Sequence, residues 1–430
     1  MNKEIVSDWK RRDFLRRSSL ATVLMLSGAV ELRPAETAAS APDSEEGDKS
    51  GPPISCGVIG LGLWGRELLG HLGRLPEASV AAICDTYAPF LKRGAQRAPK
   101  ATLEEDYRKI LENKEVQAVC VATPTHQHRE IAIAALQAGK HVYCEAPLAH
   151  TLDDAKAIVK AAKAAGRQVF QAGLLSRSNP IHNHVVGFVH TGALGKLVLA
   201  RAQFHRKQSW RAAAPKPERE KELNWRLDKR NSLGLAGEIG MHAIDTATWF
   251  HKAMPIAVHG FSSLLKWDDG RDVPDTIQAI LEFPGGFRLV YDATLASSFE
   301  GNFEVHSGAD STIYLRDNRA WMIKETDAPL LGWEVHARRE DFQPSQEAGL
   351  ALVANSTKLL SQGKEPAEQN TASEPPLYHA CREFLACIKN QRVPKAGFEA
   401  AYTANVLAIK TAEAVHGNCR IDLPPELFTV

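Results

Sequence analysis

The run Gly60-Leu61-Gly62-Leu63-Trp64-Gly65 follows directly on the apolar stretch Ile54 to Ile59 and opens a helical pattern that continues through Leu75. A strand, three glycines spaced G-x-G-x-x-G and a helix, in that order, narrow the possible folds more than any other feature of this chain. The first glycine permits a tight turn. The second lets the backbone approach a pyrophosphate at the helix N-terminus, and the third allows the helix to pack closely on the strand. A second apolar stretch, Val80 to Cys84, ends in Asp85, twenty residues beyond Gly65. An acid there can hold the hydroxyls of an adenosine ribose, and its charge repels a 2′-phosphate. Thr86-Tyr87 supplies no adjacent arginine to receive that phosphate, so NAD is expected over NADP.

Two more strand-and-helix units follow. Ala118 to Ala122 precedes a helix over His128 to Ala138, His141 to Glu145 precedes one over Leu152 to Ala165, and Val169 to Leu174 closes the series. Such alternation predicts an α/β domain with a doubly wound parallel sheet, whose ligands sit at the carboxyl ends of its strands. The glycine turn is expected to contribute Gly60, Gly62, Leu63, Trp64 and Gly65 to the cofactor site, with Asp85 at its ribose end. The later strand ends are expected to add Thr123, Pro124, His126, His128 and Glu145.

The 430 residues suggest two domains and a processed segment. Lysine and arginine number 52 against 51 acids, which argues against a nucleic-acid partner or a charge-held membrane association. A small-molecule ligand fits that balance better. Four of the seven cysteines, Cys56, Cys84, Cys120 and Cys144, fall in apolar runs and read as core thiols; no pair has zinc-site spacing, so no metal is expected. The basic start leads into a modestly apolar stretch from Leu20 to Val30, the order of an export signal. Within it Arg11-Arg12-Asp13-Phe14-Leu15-Arg16 resembles the twin-arginine signature. The apolar run is shorter than a membrane span and holds Ser27, Gly28 and Glu31, so stable insertion is not expected. Residues 1–41 are thus read as a signal with cleavage near Ala38 to Ala41, and 42–53 as a linker. The expected partner is the twin-arginine export machinery, the expected location the periplasm or another exported site, and a protein so exported travels folded with its cofactor.

Read in order, Gly60 to Gly65, Ala122-Thr123-Pro124-Thr125-His126-Gln127-His128, Ala138 to Pro147, Gly192 to Lys196 and Gly240-Met241-His242-Ala243-Ile244-Asp245 resemble the Gfo/Idh/MocA family of oxidoreductases, named for glucose-fructose oxidoreductase and inositol dehydrogenase. The resemblance implies a Rossmann domain over 54–175, then a C-terminal α+β domain over 176–430 with an open, mainly antiparallel sheet that binds substrate and forms a homo-oligomer. Strands are readable at Leu197 to Arg206, Ala257 to Leu265, Thr276 to Phe283, Arg288 to Leu295, Asn302 to His306 and Ser311 to Arg316. The resemblance also makes His242 and Asp245 the catalytic pair. Three residues apart on a helix they share a face, where a neutral imidazole can take an alcohol proton and the carboxylate can hold hydroxyls or fix the ring. Arg177 matches a family arginine at the entrance to the second domain and is expected to bind sugar hydroxyls. His205 and Trp225 belong to a cluster of rings and donors that reads as a carbohydrate site or as a solvated loop. The segment Thr326 to Pro376 reads as a loop over the site or an oligomer contact, and the helices at Leu377 to Asn390 and Phe398 to Val415 as closure of the second domain.

One departure bears on chemistry. The family motif Glu-Lys-Pro, whose lysine helps deprotonate the reacting alcohol, is here Glu145-Ala146-Pro147. A methyl group neither donates nor accepts, so the proton must go elsewhere. The reading that follows is an NAD(P)-dependent oxidoreductase acting on a sugar or sugar derivative, with its cofactor kept bound and restored within each cycle. An alternative is an NAD-dependent glycoside hydrolase or lyase that oxidises a sugar hydroxyl transiently, eliminates the aglycone and returns the hydride. A third, suggested by Ala146, is a non-catalytic dinucleotide- or sugar-binding protein.

Overall fold

The computed structural model describes residues 51–332, 334, 339–341, 348–352 and 374–430. The expected signal and nearly all of the expected linker lie outside the described residues, as does most of the segment from 333 to 373.

The first sheet has six strands in the order β3-β2-β1-β4-β5-β6: β1 (Ile54–Ile59), β2 (Ala78–Cys84), β3 (Thr102–Glu104), β4 (Ala118–Val121), β5 (His141–Cys144) and β6 (Phe170–Ala172). All its pairings are parallel. Strands buried on both faces read as continuous apolar runs, as β1 and β4 do. The winding direction reverses between β1 and β4, and a ligand crevice opens at that point above the strands' carboxyl ends. Strand β3 and the helices Ala88–Arg97 and Tyr107–Glu112 are absent from the sequence-based expectation; β3 is only three residues long, too short for a period-2 signal. Of the thiols expected in the core, Cys56, Cys84, Cys120 and Cys144 are all buried.

The second sheet has ten described strands in the order β14-β15-β13-β12-β11-β7-β10-β9-β8-β16. Its central members are β7 (Leu197–His205), β8 (Ala257–Ser263), β9 (Thr276–Glu282), β10 (Arg288–Thr294), β11 (Asn302–Gly308), β12 (Ser311–Arg316) and β13 (Arg319–Lys324). Only the pair β7 and β10 runs parallel. Alternation sets the faces: on β9, Ile277, Ala279 and Leu281 are buried while Gln278 and Ile280 are exposed. The six expected strands are present within a residue or two at each end, and β13, β14 (Arg339–Asp341), β15 (Ala348–Ala351) and β16 (Arg420–Asp422) extend the sheet beyond them.

Two C-terminal helices bind the layers together, and only one belongs where the sequence suggested. Helix Pro376–Asn390 buries Leu377, Cys381, Phe384 and Leu385 against Leu68, Leu72, Cys120 and Tyr143 of the first domain, not against the second sheet. Its apolar stripe fixed its existence; which layer it covers is a long-range choice. Helix Phe398–Gly417 carries Val406, Leu407 and Ile409 into a core shared by Ile59 and Val121 of the first sheet and Leu281 and Leu289 of the second. Asn405 on this helix is wholly buried; its Nδ2 donates to the Ala149 carbonyl at 3.1 Å and its Oδ1 accepts from the Ala149 N–H at 3.2 Å. This pins the loop after β5. Among the described residues, no helix is long and apolar enough to cross a membrane.

Asn405→Ala leaves both main-chain groups of Ala149 buried without partners, at a cost of about 2–4 kcal/mol. Urea denaturation should show a lower midpoint with an unchanged slope.

Candidate active site

The glycine turn is shaped by what surrounds it. Gly60 has φ of +91°, and a Cβ there would lie 2.7 Å from the Ala122 carbonyl at the end of β4; a Cβ on Gly65 would lie 1.9 Å from the Gly60 oxygen. Gly62, by contrast, faces open space with nothing within 4 Å. It caps helix Leu63–Leu72, which has no side-chain cap and no acid in its first turn. Free helix N–H groups beside a clear cradle suit a pyrophosphate. Leu63 is 74% exposed and Trp64 41% at that opening.

Asp85 stands at the ribose end. Its carboxylate accepts from the N–H of Leu61 and of Tyr87, each at 2.7 Å. Burial pushes its pKa up and these two bonds pull it down. The second domain leans over this end: Arg219 donates to the Thr86 carbonyl at 3.0 Å, lies over the Tyr87 ring and pairs with Glu222. The sequence beside Asp85 holds no arginine, and Arg219, more than 130 positions away, fills that neighbourhood.

The strand ends across the crevice carry unmatched polar atoms. Thr123 Oγ1, His126 Nδ1 and Glu145 Oε1 are all buried without a hydrogen-bond partner. Burial pushes the Glu145 carboxyl up to about 7, against the Trp64 indole, the Tyr143 hydroxyl and the Ala146 N–H, which pull it down. These orphaned atoms, with the Gly62 cradle and Asp85, fit a dinucleotide lying across the switch point. Pro124 precedes the short turn Thr125–Gln127 that carries His126. His128 does something different. Its ring is 1% exposed, with Nε2 2.9 Å from the Thr123 carbonyl and Nδ1 2.9 Å from the Pro147 carbonyl. Burial pushes it down to about 4, so near pH 7 the neutral ring donates to one of them and ties the β4 loop to the β5 loop. It positions the cofactor loops without facing the crevice.

From the second domain comes helix Gly240–His251, entered through a π-helical turn, Leu235–Ile239. Such turns recur at functional sites because they push a side chain out of helical register. The turn presents Glu238, a residue that sequence reading missed. The Thr125 hydroxyl donates to Glu238 at 3.3 Å across the crevice, Ser232 donates at 3.1 Å, and Arg226 pairs with it at 3.4 Å. Burial raises the Glu238 pKa and the Arg226 charge opposes that. Helical patterning gave no signal for Glu238, because the π-helical turn breaks the 3.6-residue spacing before His242. His242 is half-buried and lines a cavity of about 240 Å3; its Nδ1 is buried without a partner. Burial lowers its pKa while Asp245 works against that, and the ring is neutral at pH 7.

Asp245 and Arg177, expected to serve substrate separately, are brought together. Arg177 Nε and Nη2 each donate to Asp245 at 2.8 Å, a two-pronged ion pair with side chains 16% and 2% exposed, and the guanidinium also lies over the Trp249 ring. Each occupies the other, so the pair braces the helix beneath His242. Trp225 is buried, 6.0 Å from the His126 ring, and walls the crevice where the two domains meet. His205 stays on the sheet, held by Asp292 at 2.6 Å and the Phe299 carbonyl at 3.1 Å, and is not among the residues lining the cavity.

Arg177→Ala leaves a buried carboxylate unpaired and should cost about 3–5 kcal/mol. Adding Asp245→Asn should restore part of that in a denaturation cycle. Asp85→Ala removes a charged acceptor worth about 1.5–3 kcal/mol, so NAD affinity should fall by about ten- to a hundredfold while NADP affinity falls less, as titration of nucleotide fluorescence would measure.

Comparison with known proteins gives the same grouping. Residues 54–173 match an oxidoreductase family described as having an NAD-binding Rossmann fold, and residues 182–311 match the GFO/IDH/MocA C-terminal domain. Levoglucosan dehydrogenase of Pseudarthrobacter phenanthrenivorans is 29% identical over 239 residues, 50% of this chain and 59% of that protein. Inositol 2-dehydrogenase 2 of Saccharopolyspora erythraea is 30% identical over 197 residues, 46% of this chain and 53% of that one. The chain thus matches little more than half the length of these curated relatives. Among solved structures, levoglucosan dehydrogenase with NADH and levoglucosan superposes with a TM-score of 0.70 at 21% identity, covering 86% of this chain and all of that one. The aldose-aldose oxidoreductase of Caulobacter crescentus, complexed with glycerol, gives 0.66 at 21% identity, covering 86% and 100%. With both domains matched in order on a shared fold, the chain belongs to the Gfo/Idh/MocA family of oxidoreductases.

Proposed function

We propose that this protein is an NAD-dependent oxidoreductase acting on a sugar or sugar derivative, which keeps its cofactor bound and restores it within each catalytic cycle. The observation that carries the reading is the contact of Glu238 with Thr125: it brings an acid and, one turn on, an imidazole from the substrate domain to the head of the dinucleotide sheet. The names of the relatives, dehydrogenases of levoglucosan and of inositol, point to the same substrate class.

Gly60, Gly62, Gly65 and Asp85 would hold the phosphates and adenosine ribose, and Thr123 and Glu145 the far end. When bound, the nicotinamide supplies the hydride acceptor. The chain's own residues must remove the hydroxyl proton. Ala146 cannot. His242, uncharged at neutral pH, can take a proton on its imidazole, and Glu238, whose ionised form burial disfavours, lies one helical turn away to share it. Arg177 and Asp245 keep that helix in place.

Retention of the cofactor is supported by the Arg219 contact over the adenosine end and by the twin-arginine motif, because an exported enzyme works where free NAD is scarce. On this reading residues 1–41 are removed on export to the periplasm or beyond. The exposed face of the second sheet, with Val198, Phe261 and Ile280 uncovered, is assigned to a homo-oligomer contact. Ala146 favours a second reading, net glycoside cleavage by transient oxidation on the same scaffold.

Protein purified from the exported fraction should carry NAD, visible by absorbance and mass. Under single-turnover conditions with a panel of aldoses it should form bound NADH, and His242→Ala should lower that rate by at least about a hundredfold. Release of nitrophenol from aryl glycosides without accumulation of NADH would decide for the second reading, and loss of NAD binding in folded protein would remove both.

A further inference from the structure

Strand β11 carries polar residues on the side where its neighbours are apolar. Register fixes the faces: Glu304 lies beside Ala202 of β7 and Leu315 of β12, and Ala202 beside Tyr291 of β10. That row faces the helix Gly240–His251, because a Cβ on Gly240 would strike the Tyr291 ring at 2.6 Å. The inward residues of the flanking strands, Ala200, Ala202, Ile313 and Leu315, are apolar and buried. Strand β11 instead sends Asn302, Glu304 and His306 inward and turns Phe303 and Val305 to the other face. Polar residues on the core side work against stability, and departures of this kind mark functional positions.

What they face is the cavity below His242. Its volume of about 240 Å3 is more than ten times the ~10–15 Å3 that a single ordered water requires. Its walls include His182, His242, Asn302, Glu304, Arg316 and Arg319. Two buried atoms of these residues, His182 Nδ1 and His242 Nδ1, have no hydrogen-bond partner. Buried polar atoms are rarely left unmatched, and two on residues around one space, beside the Glu304 carboxyl, call for a polar occupant. His182 is held in position because helix Pro180–His190 starts at Asn179, whose Oδ1 caps the Ile181 N–H at 2.8 Å. Behind the carboxyl, His306 Nε2 stands 3.6 Å from Glu304 Oε2, and His306 Nδ1 is 3.0 Å from His251 Nε2. Burial pushes Glu304 up to about 7 and both of those imidazoles down to about 3, so at neutral pH the two rings behind are uncharged and the carboxyl exchanges between its protonated and ionised forms. Arg316, Arg319 and Asp317 stand in the same lining, and such a mixture of donors and acceptors suits the hydroxyl groups of a sugar.

We propose that this cavity is a second sugar subsite, in which Glu304, Asn302 and His182 hold the ring next to the one that reacts, so that the preferred substrate is a disaccharide or other glycoside and not a free monosaccharide. The proposal rests on the reading of His242 as the residue facing the reacting sugar. Both faces of that imidazole then have work: one toward the nicotinamide end of the crevice, one toward the second ring.

The test is calorimetric titration of the NAD-loaded full chain with maltose, cellobiose and lactose and with glucose and galactose, in the wild type, Glu304→Leu and Glu304→Gln. At least one disaccharide should bind tenfold or more tighter than its component monosaccharides. Glu304→Leu should abolish that advantage and Glu304→Gln keep part of it, with NAD affinity and monosaccharide affinity unchanged in both. If Glu304→Leu does not fold, a loss of fivefold or more in Glu304→Gln serves. Monosaccharides binding as tightly as disaccharides, or an advantage indifferent to Glu304, overturns the subsite while leaving the oxidoreductase reading intact. Binding of NAD with no carbohydrate at all overturns both.

Discussion

Everything in this molecule is arranged around the contact of three backbone segments at the head of the first sheet. Gly60 lies against the end of β4 and Gly65 against Gly60, at distances that admit no side chain at either position. That closeness sets the helix after β1 directly above the reversal of strand order, with its free N–H groups aimed into the crevice. The clamp of His128 on the Thr123 and Pro147 carbonyls and the hold of Asn405 on Ala149 extend the same rigidity to the next two strand ends. The second domain meets a surface already fixed.

The first sheet could be read from the sequence because its determinants are local. Glycine spacing, buried strands and the acid after β2 all lie within a few residues of what they specify. The strands of the second sheet were readable for the same reason, through their period of two. What could not be read was which distant side chain meets which. Arg177 and Asp245 were each recognised, yet their union across 68 positions makes them a brace and not two substrate ligands. Glu238 sits in a π-helical turn, which alters the face a residue presents and hides it from 3.6-residue patterning. Strand β11 shows the limit most clearly: its alternation is visible in the sequence, but only the register with Ala202 and Leu315 reveals that its polar side is the inner one.

The loss of a lysine at Ala146 also has a physical reading. The resemblance implies a lysine where Ala146 stands; here burial pushes the Glu145 carboxyl up to about 7, against the Trp64 indole, the Tyr143 hydroxyl and the Ala146 N–H. On the proposed reading, the absence of a cation at Ala146 leaves proton transfer to the Glu238 and His242 side of the crevice.

The Arg219 contact sets a kinetic condition. The arginine reaches from the second domain to the Thr86 carbonyl and the Tyr87 ring, bridging the outer mouth of the groove that ends at Asp85. On the proposed reading, a nucleotide leaving that groove would wait for this latch to part. Escape would then be set by how often the latch opens as well as by the contacts inside, and a slow latch would turn an exchangeable coenzyme into a resident one.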